Sequence, residues 1–471
     1  MSDSTVSRRS FLEKMRNGAA AAALASVAGC GKSLPAKPNV VLIMVDDLGY
    51  GDLGSWGQKE IQTPNIDRMA TQGMRFTDHY AGSTVCAPSR CCLMTGVHTG
   101  HARVRGNTNV LMEPQDYTLG KLFKDAGYTT GCIGKWGIGH PPPPNDPQKN
   151  GFDHFFGYLS MWHAHNFYTD FLWRNGEKVP LKNIVQHPET HYKEDQRELV
   201  GISTNKVEYS HDLFANEALQ FIEDNKDQPF FLYLPFTIPH ANNEAGDKGM
   251  EVPNHGIYAN KDWPEPQKGH AAMISRMDKD VGRIEDKLKE LGLTENTLVI
   301  FTSDNGPHKE GGADPAFNDS NGPLRGMKRD LYEGGIRVPM IAKWPGVIDA
   351  GSNSDHVSAF WDYMPTFAEL IGWNAPAETD GISLLPTLTG SGRQQQHDNL
   401  YWEFHERGVK QAVRMGKWKG VRLGVDSKPE LYDLSVDIGE TNNVAAQHPD
   451  IVAEIVKRIE SEHADHPEFP I

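Results

Sequence analysis

The run Asn39-Val40-Val41-Leu42-Ile43-Met44-Val45 carries no polar residue after its first position and is followed at once by Asp46-Asp47. A half-exposed strand would alternate in polarity. A continuous apolar run predicts a strand buried on both faces, as in the middle of a parallel sheet. Similar runs recur at 129–133, 229–237 and 297–302, with helical patterns between them. Pro64 follows Thr63 at one predicted helix start, Ile66, Met69 and Ala70 line a face, and Gly73 ends it. Leu119, Leu122, Phe123 and Ala126 mark another helix, and 212–223 and 271–291 two more. This alternation predicts an α/β class with a large, mostly parallel central sheet flanked by helices. After residue 390 the pattern changes to short strand-like pieces at 400–404, 411–415, 418–423 and 430–434. A closing helix follows, with Ile451, Ile455 and Ile459 at spacing four. That predicts a smaller antiparallel α+β subdomain. The expected organisation is a leader over 1–30, a linker over 31–37, a main domain over 38–390 and a C-terminal subdomain over 391–471. The seam falls in the polar stretch 390–398.

With 38% hydrophobic and 23% charged residues, the 471-residue chain can bury a sizeable core, which excludes the disordered class. Its net charge of −15 argues against a nucleic-acid partner, although a small basic pocket for an anion remains compatible. At the N-terminus, Ser7-Arg8-Arg9-Ser10-Phe11-Leu12 resembles a twin-arginine export signal, and 18–28 supplies a short apolar core. Val27-Ala28-Gly29-Cys30 resembles a bacterial lipobox, which implies lipidation of Cys30; a plain signal cleaved near Ala28 is the alternative. Either predicts export to the periplasm or cell envelope of a bacterium, with membrane contact only through a lipid anchor. The other cysteines, Cys86, Cys91, Cys92 and Cys132, form neither a spaced disulfide framework nor a CxxC zinc pattern.

Two predicted strands end in acids. Val45 precedes Asp46-Asp47, and the 297–302 run precedes Ser303-Asp304-Asn305-Gly306. Ligands of open α/β sheets bind beyond the carboxyl ends of strands. Neighbouring carboxylates there repel unless a cation compensates, and this all-oxygen set suits Ca²⁺ or Mg²⁺ rather than zinc. Taken singly, either pair reads more readily as a helix cap or an exposed turn, and it is two such ends, each after a buried strand, that favour a metal. Between these ends, Cys86-Ala87-Pro88-Ser89-Arg90 opens a short predicted helix that stops at Gly96. Free N–H groups and the dipole at such a start favour an anion, and Arg90, one turn in, can reach back to it. Cys86 can also be read as a buried structural cysteine or as a thiolate nucleophile.

Cys86-Ala87-Pro88-Ser89-Arg90 with Met94-Thr95-Gly96 resembles the signature of the type I sulfatases, arylsulfatase-like members of the alkaline phosphatase superfamily. Other family-like motifs follow in order. They are Asp46-Asp47-Leu48-Gly49-Tyr50-Gly51-Asp52, Thr63-Pro64-Asn65-Ile66-Asp67, Gly134-Lys135-Trp136, Pro239-His240 and Ser303-Asp304-Asn305-Gly306. Leu324-Arg325-Gly326-Met327-Lys328, Glu333-Gly334-Gly335-Ile336-Arg337, Asp380-Gly381 and Glu430-Leu431-Tyr432-Asp433 extend the resemblance over about 38–460. It implies that Cys86 is oxidised to formylglycine by a formylglycine-generating or sulfatase-maturating enzyme, and is hydrated to a gem-diol. One hydroxyl attacks sulfur and expels the alcohol; the other loses a proton, and sulfate is eliminated. The resemblance further implies a divalent cation, Ca²⁺ or Mg²⁺, held by Asp46, Asp47, residue 86, Asp304 and Asn305. Arg90, Lys135 and Lys328 form a cationic clamp. His240 is the expected acid for the leaving oxygen, with His308 as the alternative. One departure stands out: where many members carry His two residues after the lysine, this chain has Gly137, and His140 lies further on.

For recognition, Met161-Trp162-His163-Ala164-His165 and the clusters around Arg105 and Asn107 and around Trp402 and His405 combine aromatic and polar groups suited to sugars. The resemblance implies a sulfated glycan or small sulfate ester as substrate, with His163, His165, Arg105, Asn107 and His405 as the expected contacts; ordinary core packing is the alternative for each. Two further readings compete. One is a phosphate or phosphonate monoester hydrolase of the same superfamily, and the other a non-catalytic lipoprotein that binds sulfated glycan.

Overall fold

Side chains of the strand Asn39–Val45 alternate between two cores. Val40, Leu42 and Met44 enter one, and Val41, Ile43 and Val45 the other, all fully buried. Both faces are covered, so the run shows no polarity period. The computed structural model describes residues 34–35, 37–139, 146–188 and 194–471. The leader, Cys30 and His140 lie outside the described residues. Leu34–Ile471 forms one compact unit, and no helix among the described residues is long and apolar enough to cross a membrane.

The central sheet has ten strands. Edge to edge they are Ser352–Ser354, Met74–Phe76, Met340–Lys343, Thr297–Ser303, Asn39–Val45, Phe230–Pro235, Thr129–Lys135, His154–Tyr158, Phe171–Arg174 and Glu177–Pro180. The five from Thr297–Ser303 to His154–Tyr158 are mutually parallel, and antiparallel pairings flank them on both sides. One face is covered by Pro64–Gln72, Ser210–Asp224 and Glu265–Glu290, through residues such as Ile66, Phe214, Met277 and Ile284. The other is covered by Cys86–Thr95, Leu119–Asp125 and Tyr363–Leu370; Phe123 stacks on Phe231 there with ring centroids 4.1 Å apart.

Beyond 390–398 the strands Leu400–Phe404, Lys410–Met415, Trp418–Arg422 and Glu430–Asp433 form an antiparallel sheet in that order. Ile455 and Ile459 of the closing helix Pro449–Ser461 pack on Tyr401, Val413 and Leu431. The opposite face sets Trp402, Ala412 and Val421 against Tyr80, Leu331 and Ile336 of the preceding region.

Because the central strands run the same way, their carboxyl ends share one edge. Asp46 follows Val45, Asp304 follows Ser303, Lys135 ends its strand, and His240 lies just past Pro235. The fold alone thus collects residues hundreds of positions apart.

Candidate active site

At that edge Asp46, Asp47, Arg90, Lys135, Asp304 and Asn305 are fully buried, and Cys86, His240, His308 and Lys328 nearly so. Asp47 takes a left-handed backbone conformation, φ 63°, a strain of about 1–3 kcal/mol for a non-glycine residue. Its surroundings fix it. Its N–H donates to Asp304 Oδ1 at 3.1 Å, its Oδ1 accepts from Asn305 Nδ2 at 2.6 Å, and its Oδ2 accepts from Lys328 Nζ at 2.8 Å. Lys135 Nζ donates to Asp46 Oδ2 at 2.6 Å. Arg90 donates through Nε and Nη2 to Asp304 Oδ2, at 3.1 and 2.8 Å, and through Nη1 to the Lys135 carbonyl at 2.6 Å. Ser89 Oγ donates to the Asp304 carbonyl at 2.5 Å, bolting the Cys86 helix to the second acidic loop.

Two acceptors in this knot have no hydrogen-bond partner, Asp46 Oδ1 and Asn305 Oδ1. Unmet buried acceptors are costly and mark a place for an ion. Ligand atoms of Asp46, Asp47, Cys86 and His240 all lie within 4.8 Å of one another. The electrostatics agree. Burial alone would raise the Asp46 carboxyl, but Lys135, His240, Arg90 and Lys328 hold it well below the usual range. Asp304 is instead pushed up to about 7 by burial and the facing Asp46, despite Arg90. The three carboxylates are matched one for one by Lys135, Lys328 and Arg90, so it is the two oxygens left without a donor, in an all-oxygen set, that fit a hard divalent cation.

Burial also raises the Cys86 thiol to about 11, with Lys135 opposing and Asp46 adding to the shift. Burial thus works against ionisation of an unmodified Cys86 thiol.

The two histidines differ in kind. His240 Nδ1 lies 2.7 Å from the Ala241 carbonyl, so it carries the proton, and Nε2 is left to accept from Lys328 Nζ at 3.0 Å. Burial and Lys328 push His240 down to about 3, which keeps the ring neutral. His308 Nδ1 accepts the Glu310 N–H at 3.0 Å, and its Nε2 lies 3.1 Å from the Pro239 carbonyl. Both its nitrogens are spent on backbone, so His308 welds two loops together and holds no proton for the leaving group.

Of the expected sugar contacts, the structure brings His165 to this edge, its ring stacked on His240 at 5.0 Å and 13°. It places others elsewhere. His163 is fully buried, with Nε2 2.8 Å from Thr169 Oγ1 and its ring against Tyr158 and Phe171. Arg105, 2% exposed, pairs with Glu403 at 2.8 Å, and His405 Nε2 lies 3.0 Å from the same carboxylate. These three serve packing and a buried network rather than a ligand. Asn107 Oδ1 accepts the Ala87 N–H at 3.1 Å. Glu310 escaped the sequence reading; it accepts from Lys328 at 3.2 Å and from Arg329 at 2.6 Å. Nothing flags it, because Lys309-Glu310-Gly311-Gly312 reads as an exposed turn. Gly137 has φ 77°, and a Cβ there would meet Arg90 Cδ at 3.1 Å. The departure at this position is therefore built into the backbone, which turns where a glycine is favoured.

Residues 38–373 match the family model described as Sulfatase. The chain belongs to the sulfatase family. Residues 327–465 also match the model described as N-sulphoglucosamine sulphohydrolase, C-terminal. The chain is 33% identical to an N-acetylgalactosamine-6-O-sulfatase of Bacteroides thetaiotaomicron, over 90% of this chain and 93% of that one. It is 32% identical to the N-acetylgalactosamine-6-sulfatase of Sus scrofa, over 89% of this chain and 78% of that one. Among solved structures it resembles Ps i-CgsB in complex with k-i-k-neocarrahexaose. There the TM-score is 0.75 at 28% identity, covering 90% of this chain and 92% of that one. The protein is accordingly a sulfuric ester hydrolase with the alkaline-phosphatase-like sulfatase fold.

Proposed function

We propose that this sulfatase removes sulfate from a sulfated carbohydrate, with a nucleophile made from Cys86 and a divalent cation, Ca²⁺ or else Mg²⁺. One observation carries the reading: residue 86 opens a helix inside a buried ring of Arg90, Lys135 and Lys328, beside acidic loops with two unmet acceptor oxygens. The carbohydrate rests on relatives named for N-acetylgalactosamine sulfate and on the neocarrahexaose complex.

Asp46, Asp47, Asp304 and Asn305 would hold the cation, which supplies Lewis-acid stabilisation of sulfonyl oxygens when bound. Conversion of Cys86 to formylglycine by a maturating enzyme would supply a hydrated carbonyl in place of the poorly ionised thiol. The chain's own residues do the remaining work. Lys135 is anchored on Asp46 through one N–H and needs no reorganisation to turn the others to sulfonyl oxygens, while Lys328, whose three N–H groups go to Asp47, His240 and Glu310, adds a fixed positive charge. Arg90 is locked on Asp304 and keeps the second acidic loop in register with the helix. His240 keeps its one proton on Nδ1, bound to the Ala241 carbonyl, so the acid expected at His240 passes to Lys328, whose N–H to His240 Nε2 the leaving oxygen would take over. His165, stacked on His240, is placed to meet the sugar.

The test combines two measurements on enzyme from a host able to mature it. The peptide spanning residue 86 should lose the mass that separates CH₂SH from CHO. A panel of sulfated mono- and oligosaccharides, beginning with 6-sulfated N-acetylgalactosamine, should release sulfate with wild type and none with Cys86→Ala, which should fold normally. Sulfate release by the alanine variant at a comparable rate overturns the nucleophile. Faster turnover of the matched phosphate ester overturns the substrate class.

A further inference from the structure

The helix Cys86–Thr95 begins without a cap of its own. Val85, the residue before it, is apolar and makes no side-chain hydrogen bond to the first turn. Pro88 has no N–H to offer. A helix start of this kind frays unless an acceptor comes from elsewhere. Here it comes from Asn107, whose Oδ1 takes the Ala87 N–H at 3.1 Å.

The loop that carries Asn107 is itself fastened to the C-terminal subdomain. Arg105 Nε donates to the Ala102 carbonyl at 2.9 Å, which shapes the loop from within. Arg105 Nη1 donates at 2.8 Å both to Glu403 Oε1, on the strand Leu400–Phe404, and to the Ala464 carbonyl, past the closing helix. The Glu403 N–H donates to Thr99 Oγ1 at 2.8 Å, and the Ala464 N–H to the Gly100 carbonyl at 3.1 Å. Four bonds thus tie one short loop to the C-terminal sheet and tail, and the end of that loop grips the backbone next to residue 86.

We propose that Asn107 is a positioning residue for residue 86, and that the Arg105–Glu403 pair holds Asn107 in place. This rests on the reading that residue 86 carries the nucleophile. The Ala87 amide is the peptide link directly after that residue, so fixing its N–H fixes the direction in which residue 86 presents its side chain to the clamp. An error of about 1 Å in such a placement costs on the order of 10²-fold in rate. The C-terminal subdomain thereby reaches the reacting atom without touching substrate.

The experiment uses the matured full chain with 4-nitrophenyl sulfate, a probe that asks nothing of sugar recognition, and records residue-86 conversion by peptide mass for every variant. Asn107→Ala should lower kcat on the order of tenfold to a hundredfold with KM almost unchanged. Asn107→Asp keeps an acceptor oxygen but loses the donating amide, and should recover most of the loss. Arg105→Gln should lower kcat in the wild-type background and add little on top of Asn107→Ala, because both act through one contact. A change confined to KM, or Asn107→Asp no better than Asn107→Ala at full conversion, overturns the proposal and returns Asn107 to the substrate. Cys86→Ala runs in the same assay. If it turns over, the fault lies with the nucleophile; if it is inactive while Asn107→Ala matches wild type, only the positioning role falls.

Discussion

Two of the buried charge clusters among the described residues are built from the same kinds of groups, yet only one of them forms the candidate active site. At the sheet edge, Asp46, Asp47 and Asp304 meet Arg90, Lys135 and Lys328, and two acceptor oxygens are left without a donor. Below the C-terminal sheet, Glu333 accepts from Lys419 Nζ at 2.8 Å, from Tyr80 Oη at 2.6 Å and from Arg337 Nη1 at 3.2 Å. Its own N–H goes to Glu440 Oε2 at 2.7 Å, and Arg414 and Arg337 each reach Asp78 at 2.8 Å. No carboxylate oxygen of Glu333, Glu440 or Asp78 is among the unmet buried acceptors. Buried charge alone therefore does not announce chemistry. A closed network holds parts together, whereas a network short of donors awaits an ion or a substrate. The Glu333-Gly-Gly-Ile-Arg337 motif, as family-like in sequence as the acidic loops, belongs to the closed kind.

Matched lysine substitutions should separate the two. Lys135→Met should lower kcat on the order of 10²–10³-fold, because under the proposed function it removes a buried donor of the cationic clamp. Lys419→Met should leave the kcat of the folded enzyme unchanged and cost about 3–5 kcal/mol of stability, since it strands Glu333 and Glu440. Sulfate release and urea melts on both variants check this, and equal losses of kcat would erase the distinction. A smaller effect follows from the unmet acceptors. Adding Ca²⁺ to chelated enzyme at a hundredfold excess over its dissociation constant should stabilise the fold by about 2.7 kcal/mol. Asp46→Asn should abolish that increment and Glu440→Gln should keep it. A Ca²⁺ response that survives Asp46→Asn would place the ion elsewhere.

The sheet was legible because its middle strands are buried twice and their sequences show it; Asn39–Val45 and Thr297–Ser303 fall within a residue of the apolar runs. The edge strand Ser352–Ser354 and its neighbour Met74–Phe76 were not, being three residues long with no period to read. Within the site, strand-end acids were legible because parallel topology decides where strand ends go. Polar residues with distant partners were not. Arg105 reads as a ligand contact until Glu403, 298 residues away, is seen to pair with it. His308 reads as an acid until both nitrogens are found on backbone. Glu310 carries no local signal at all, because its importance comes wholly from Lys328 and Arg329.

The closed cluster also makes the smallest and most specific prediction, one of pH. Burial would raise the Glu333 carboxyl, but Lys419, Arg337 and Arg414 outweigh it and bring it from an ordinary 4.5 down to about 2. A carboxyl whose folded-state value is depressed contributes stability above its unfolded value and loses it as pH falls toward the folded one. The contribution of Glu333 should therefore be complete above about pH 4.5 and disappear between there and about pH 2. Other carboxylates held low by ion pairs, Asp46 among them, lose their contributions over an overlapping range, so the difference between wild type and Glu333→Gln is the quantity to follow. In urea titrations that difference should be widest near neutral pH and narrow steadily below pH 4.5. A gap of constant size from neutral to acid pH would mean that Glu333 is held by shape and neutral hydrogen bonds. Charge would then not be what closes this cluster.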